Sequence, residues 1–227
     1  MPQQNIWDYY QTEGVASFDA NNSRLDYLFH KVKSLAKKSD ISILNIGPGN
    51  GYFESLCNTH NYSVIALDPS EKTIESLKQR NIEGVTASIA AIPFPAEQFD
   101  FVVASEVLEH IPDPDLGLGI QEILRVLKPQ GWFLGTVPYR EKLSDNQTIC
   151  PGCGEHFHRW GHVRSFELQE LNVVLAKIGN SVRIECRTFV DWKQPGLGRF
   201  IKNIFKWQAG KLGEAIADPH FVFRVQK

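Results

Sequence analysis

Over residues 41–137 short apolar runs alternate with amphipathic stretches, and this rhythm constrains the fold more than any other feature of the sequence. Residues 41–46, 63–67, 84–88, 99–104 and 132–137 read as strands, the third of them weak. The run 99–104 is nearly all apolar, as expected of a strand covered by helices on both faces. Between the strands, residues 51–59, 70–79 and 116–127 carry apolar residues at helical spacing; Ser70 caps the second and Pro129 with Gly131 closes the third. Upstream, Leu25, Leu28, Phe29, Val32 and Leu35 mark 21–38 as an amphipathic helix, with Asn21, Asn22 and Ser23 available as caps. Strands alternating with helices make βαβ units, whose right-handed crossovers generate a mostly parallel sheet. Ligands of such sheets lie beyond the carboxyl ends of the strands.

Past Pro138 the rhythm breaks. Residues 139–164 are polar and rich in Cys, His and Gly, 165–177 return to a helical pattern, and 182–192 and 220–225 read as two further strands. The expectation is one domain over 1–227 with an insertion at 139–164. A net charge of −2 on 227 residues, 42% of them hydrophobic, excludes a disordered chain or a strongly basic nucleic-acid binder, so no nucleic-acid partner is expected. No apolar run approaches the roughly eighteen residues of a membrane span, and the start MPQQNIWDYYQ lacks the charged and apolar regions of a secretory signal. A soluble, cytoplasmic protein is the expectation. Four cysteines are too few for a disulfide scaffold.

Residues 43–52 read ILNIGPGNGY, setting Gly47, Gly49 and Gly51 between a strand and a helix. Glycine there lets the backbone turn tightly and approach a ligand, beside the partial positive charge of a helix amino end. The same residues also suit a βα turn that holds nothing. The dinucleotide fingerprint GxGxxG would need glycine at position 52, which is Tyr52, and this weakens a nicotinamide or flavin reading. Asp68, nineteen residues after Gly49, ends the second strand, where a carboxylate can accept both hydroxyls of a ribose; a turn-forming Asp before Pro69 is the other reading.

With ILNIGPGNG, ALDPS, AAIPFPAEQFDFVVASEVLEHI and EILRVLKPQGWFLGTVP in this order over 41–137, the chain resembles the class I S-adenosylmethionine-dependent methyltransferases, in their small-molecule branch. The resemblance implies a Rossmann-like three-layer α/β sandwich: a seven-stranded, mostly parallel sheet whose last two strands form an antiparallel hairpin. It also implies that Gly47, Gly49 and Gly51 pass under the amino-acid part of S-adenosylmethionine, that Asp68 holds its ribose, that Ser88 and Ile89 border the adenine, and that the backbone near Ser105 faces the amino group. Two positions depart from the pattern. Asn45 stands where the family usually carries an acid, and Ser88 where it usually carries Asp.

Methyl transfer from a sulfonium is an in-line displacement in which positioning supplies much of the rate, with a base needed only if the acceptor must lose a proton. His110, at the exit of the fourth strand, is the base candidate, with Glu109 to orient it; a ring that merely packs the loop is the alternative. Tyr139 and Arg140 are candidates for the wall of the acceptor pocket or for its solvated rim; the resemblance implies that the region of Trp7, Tyr9 and Tyr10 folds over the site, with an ordinary core anchor as the other reading. Residues 150–162 read CPGCGEHFHRWGH. CxxC followed by HxxxH suggests a structural zinc clip ligated by Cys150, Cys153, His158 and His162, with His156 spare; a redox pair and a metal-free loop remain as alternatives. Between 197 and 212, Phe200, Ile201, Ile204, Phe205 and Trp207 interleave with Arg199, Lys202, Lys206 and Lys211. Such a stretch packs its apolar side on the sheet or rests weakly on an anionic membrane surface, and the first reading is preferred. The functional expectation is methyl transfer to oxygen or nitrogen of a small metabolite or natural-product intermediate. The alternatives are a nicotinamide oxidoreductase and a noncatalytic zinc-containing nucleoside-binding module.

Overall fold

The computed structural model describes residues 22–190, 201, 203–208 and 218–227. Trp7, Tyr9, Tyr10 and most of the basic stretch 197–212 lie outside the described residues. The elements run in the order α1 (Asn22–Leu35), β1 (Ser42–Ile46), α2 (Tyr52–Thr59), β2 (Ser63–Asp68), α3 (Glu71–Lys78), β3 (Gly84–Thr86), β4 (Phe99–Ser105), α4 (Asp113–Val126), β5 (Leu127–Pro138), β6 (Gln147–Ile149), β7 (His156–His158), α5 (Leu168–Leu175), β8 (Arg183–Thr188) and β9 (Pro219–Gln226), and the described residues within 201–208 are helical as well. Seven strands form one sheet in the order β3-β2-β1-β4-β5-β9-β8. The first five are mutually parallel, and β9 runs antiparallel to both of its neighbours. This is the Rossmann-like sheet with a closing antiparallel pair.

The layering follows from the period of two along each strand. On β4, Phe101 and Val103 face a cluster with Leu28, Phe29 and Val32 of α1 and Phe53 of α2. Val102 and Ala104 face the opposite cluster, with Ile120 and Ile123 of α4 and Leu171 and Leu175 of α5. Both faces are therefore covered, which explains the unbroken apolar run 99–104.

Local chemistry sets the element ends. Ser70 Oγ accepts from the Thr73 amide at 3.3 Å and starts α3 as expected. Helix α4 begins three residues earlier than the apolar spacing indicated, because Pro112 at its cap, a proline in its first turn and Asp113 with Asp115 favour a helix start there. The insertion holds a small hairpin of its own, β6 against β7, that the polar composition of 139–164 concealed. It is tied down by Arg164, whose guanidinium donates to the Ile111 carbonyl at 2.6 and 3.0 Å and to Asp113 Oδ1 at 2.7 Å. Among the described residues no helix is long and apolar enough to cross a membrane.

Candidate active site

At the carboxyl ends of β1, β2, β4 and β5 lies a cleft of about 760 Å³. Asn45, Gly47, Gly49, Asp68, Ser88, Ile89, Ser105 and His110 all line it, together with Tyr139, Arg140 and His162 from the far side. Gly47 and Gly49 take left-handed φ values of 71° and 56°, and Arg80 Nη1 clamps the turn by donating to the Asn50 carbonyl at 2.6 Å. The cleft is also rimmed by non-glycine residues in left-handed conformation, Glu106, Arg140 and Asp218, a form of backbone strain that gathers at functional sites.

Gly51 is placed differently from the other two glycines. It does not line the cleft. Its φ is 72° and it starts α2, while a Cβ there would fall 2.6 Å from Leu77 Cδ2 and 2.8 Å from Ile82 Cδ1. Glycine at 51 thus serves the close packing of the turn on α3.

Asp68 is 2% exposed, and its Oδ1 accepts from the Ser70 amide at 2.8 Å. The turn role and the cleft position therefore coexist in one carboxyl. Ser88 Oγ accepts from the Ala90 amide at 3.2 Å, and Ile89 is buried beside it. Ser105 Oγ accepts from Arg24 Nε at 3.0 Å and lies 3.0 Å from Thr136 Oγ1.

An acid stands behind Asn45, on α2. Asn45 Nδ2 donates to Glu54 Oε1 at 2.6 Å, and Glu54 is fully buried with its other oxygen unpartnered among the described residues. Burial pushes the Glu54 carboxyl up to about 7, against the Asn45 hydrogen bond that pulls it down. Only its place one helix turn beyond Gly51, facing inward, marked Glu54 in the sequence.

The far end of the cleft is crowded with ionisable groups. Arg24 Nη1 and Glu106 Oε2 lie 3.4 and 3.3 Å from His220 Nε2. Burial opposes the charge of Glu106, but His220 and Arg24 outweigh it and hold this carboxyl well below the ordinary range. Burial and the charge of Glu106 push Glu109 in the opposite direction, well above its usual value. His110 is pushed down to about 4 by burial and, next, by His162, so it is neutral near pH 7 and a weak base. Its Nδ1 lies 3.2 Å from the Gly161 carbonyl oxygen, so the insertion holds the ring.

The four expected zinc ligands do not come together, which corrects that expectation. Cys150 and Cys153 sit in the turn between β6 and β7, whereas His158 pairs with Gln147 at the other end of the hairpin. Three strand residues, roughly 10 Å, separate the two ends. Among the described residues, the groups whose ligand atoms lie within 4.8 Å of one another are Glu109–His110–His162 and Glu141–His158–His162, and neither contains a cysteine. His156 points outward from the hairpin, exposed. Cys150 and Cys153 are free thiols, and the Cys153 and Gly152 amides pull the Cys150 thiol below its usual value.

Comparison with known proteins bears on this geometry. A family profile described as a methyltransferase domain matches residues 20–183. The chain belongs to that methyltransferase family. It is 30% identical over 142 residues, 62% of this chain and 52% of the relative, to a "probable S-adenosylmethionine-dependent methyltransferase" of Mycolicibacterium smegmatis. It is 29% identical over 140 residues, 58% of this chain and 57% of the relative, to the ubiquinone biosynthesis O-methyltransferase of Pseudomonas fluorescens. The chain thus spans little more than half the length of these curated relatives. A crystal structure of an S-adenosylmethionine-dependent methyltransferase from Methanosarcina mazei superposes with a TM-score of 0.65 at 17% identity, covering 87% of this chain and 96% of that one. Membership of the methyltransferase family removes the ground for a nicotinamide enzyme, in agreement with Tyr52 at the third glycine position.

Proposed function

We propose that the protein transfers a methyl group from S-adenosylmethionine to oxygen or nitrogen of a small metabolite. The observation that carries this reading is the convergence of the strand ends: Asn45 and the glycine turn from β1, Asp68 from β2, Ser88 and Ile89 past β3 and Ser105 from β4 line one cleft. The cofactor supplies an already activated methyl group. The residues of the chain bind and orient it: Asp68 offers a carboxylate for two hydroxyls, Ile89 offers a buried apolar wall for adenine, and Asn45 is held by Glu54 beneath the amino-acid end.

The far wall, built by Tyr139, Arg140, Trp160 and His162, is where the acceptor would lie. A cleft of about 760 Å³ has room for the cofactor together with a small acceptor. His110 stands at this end as a neutral, poorly basic ring, so positioning rather than proton abstraction is its expected contribution.

The test is incubation with donor carrying an isotopically labelled methyl group and a panel of hydroxyl- and amine-bearing small molecules, read by mass spectrometry. Labelled O- or N-methyl product supports the reading. Binding of S-adenosylhomocysteine without labelled product from any acceptor would assign a noncatalytic binding module instead.

A further inference from the structure

Glu109, 1% exposed, has both side-chain oxygens buried without a hydrogen-bond partner among the described residues. A buried carboxyl in that condition calls for a missing ligand, whether water or ion. Its backbone carbonyl accepts from the amides of Val163 and Arg164 at 3.0 and 3.3 Å, so the insertion is fastened to the same residue that carries the unpartnered carboxyl.

Two imidazoles stand beside it, and their tautomers can be assigned from their neighbours. His110 Nδ1 faces the Gly161 carbonyl at 3.2 Å; a carbonyl only accepts, so Nδ1 bears the proton and Nε2 the lone pair. His162 Nδ1 makes a short contact with Glu141 Oε2 and by the same logic carries its lone pair on Nε2. Ring centroids of the two histidines are 4.7 Å apart at an interplanar angle of 77°, and both rings line the cleft. One ligand atom from each of Glu109, His110 and His162 lies within 4.8 Å of the others. Ligands bound about 2.1 Å from one ion lie at most about 4.2 Å apart, so a sub-ångström adjustment closes the set.

We infer that Glu109, His110 and His162 form a binding site for a divalent transition-metal ion that opens into the acceptor end of the cleft. Two imidazoles and one carboxylate suit a borderline first-row cation better than Mg²⁺ or Ca²⁺. The Gly161 carbonyl and the Glu141 carboxylate are the outer partners that ligating histidines need. The neighbouring group Glu141–His158–His162 is not the site. His158 Nδ1 accepts the amides of His162 and Trp160 at 3.1 and 3.4 Å, so the proton is on Nε2 and no lone pair faces Glu141. His158 instead shapes the turn that presents His162. Open positions on the ion would hold an acceptor oxygen; that role rests on the methyl-transfer reading, whereas ion binding does not.

The experiment is titration of the chelator-treated full chain with Co²⁺ alone, followed by absorption, with S-adenosylhomocysteine binding measured in parallel to report the donor site. The expected result is one Co²⁺ per chain with visible d–d bands and no thiolate charge-transfer band. Affinity should fall by at least roughly tenfold in Glu109→Gln and in His162→Ala, and stay unchanged in the Cys150→Ser/Cys153→Ser double variant. Melting curves and S-adenosylhomocysteine affinity show which variants are folded, and either one of the two ligand variants suffices. Absence of Co²⁺ binding, a thiolate band abolished by the cysteine substitutions, or affinity indifferent to both ligand variants overturns the site. Loss of S-adenosylhomocysteine binding with Co²⁺ binding retained would overturn the donor reading alone.

Discussion

The two ends of strand β4 treat carboxylates in opposite ways. At its amino end Asp100 is saturated: Oδ2 accepts from the Ser42 amide and hydroxyl at 2.9 Å each and from Lys128 Nζ at 2.8 Å, and Oδ1 lies 3.0 Å from Lys38 Nζ. Burial opposes its charge, but Lys128 and the Ser42 amide prevail and hold the carboxyl well below the usual value. At the carboxyl end Glu106 relies on Arg24 and His220, and Glu109 has no partner for either oxygen among the described residues. A buried carboxyl left without a partner leaves room for a ligand, while a satisfied one serves the fold. The amino end of the sheet therefore reads as structural and the carboxyl end as the working face.

That contrast can be broken first at Glu54, the carboxyl beneath the cleft. A folded-state value near 7, above the ordinary glutamate value of about 4.3, means the folded protein holds a proton that the unfolded chain has released. Stability is then greatest below about pH 4, falls as pH rises to about 7, and levels off, a change of about 4 kcal/mol. Glu54→Gln should flatten this slope in denaturant melts taken from pH 4 to 8; an identical slope in the variant would remove Glu54 from the account. The next largest effect belongs to Asp100→Asn, expected to lower stability by about 2 kcal/mol near pH 7. Because the Asp100 value is depressed, its contribution is complete above about pH 4 and is lost as pH falls below that, so wild type and variant should converge in acid. S-adenosylhomocysteine affinity should not change with Asp100→Asn, and a marked loss would erase the distinction between the two ends. The smallest effect is a gain: Ser88→Asp restores the acid that family members usually carry and should tighten S-adenosylhomocysteine binding by about 1 kcal/mol, roughly fivefold.

Most of the working face was legible in the sequence because it is local. Strand, glycine turn and helix follow one another between residues 42 and 59, and Asp68 ends the next strand, so Gly47, Gly49 and Asp68 follow from spacing, while Asn45 stands out only through the family resemblance. The packing constraint on Gly51 does not show in the sequence because it is tertiary: the atoms that exclude a Cβ belong to Leu77 and Ile82, on and just beyond the next helix. The same holds for the acceptor end. Arg24 and His220, 196 positions apart, meet over Glu106 only once α1 and β9 have packed on the sheet. In the insertion, CxxC and HxxxH looked like one ligand set because spacing along the chain does not show that a hairpin carries the pairs to opposite ends. Glu141, which holds His162, had no motif around it at all.

The account stands on a nucleoside bound against the second strand end, and calorimetric titration of wild type and Asp68→Ala with S-adenosylhomocysteine tests it most directly. Loss of a charge-assisted contact to the ribose should weaken binding by roughly 30- to 100-fold, beyond the fall in melting temperature that follows from leaving the Ser70 amide without its acceptor. Equal affinity in the two proteins, or no heat with wild type at millimolar ligand, would contradict it.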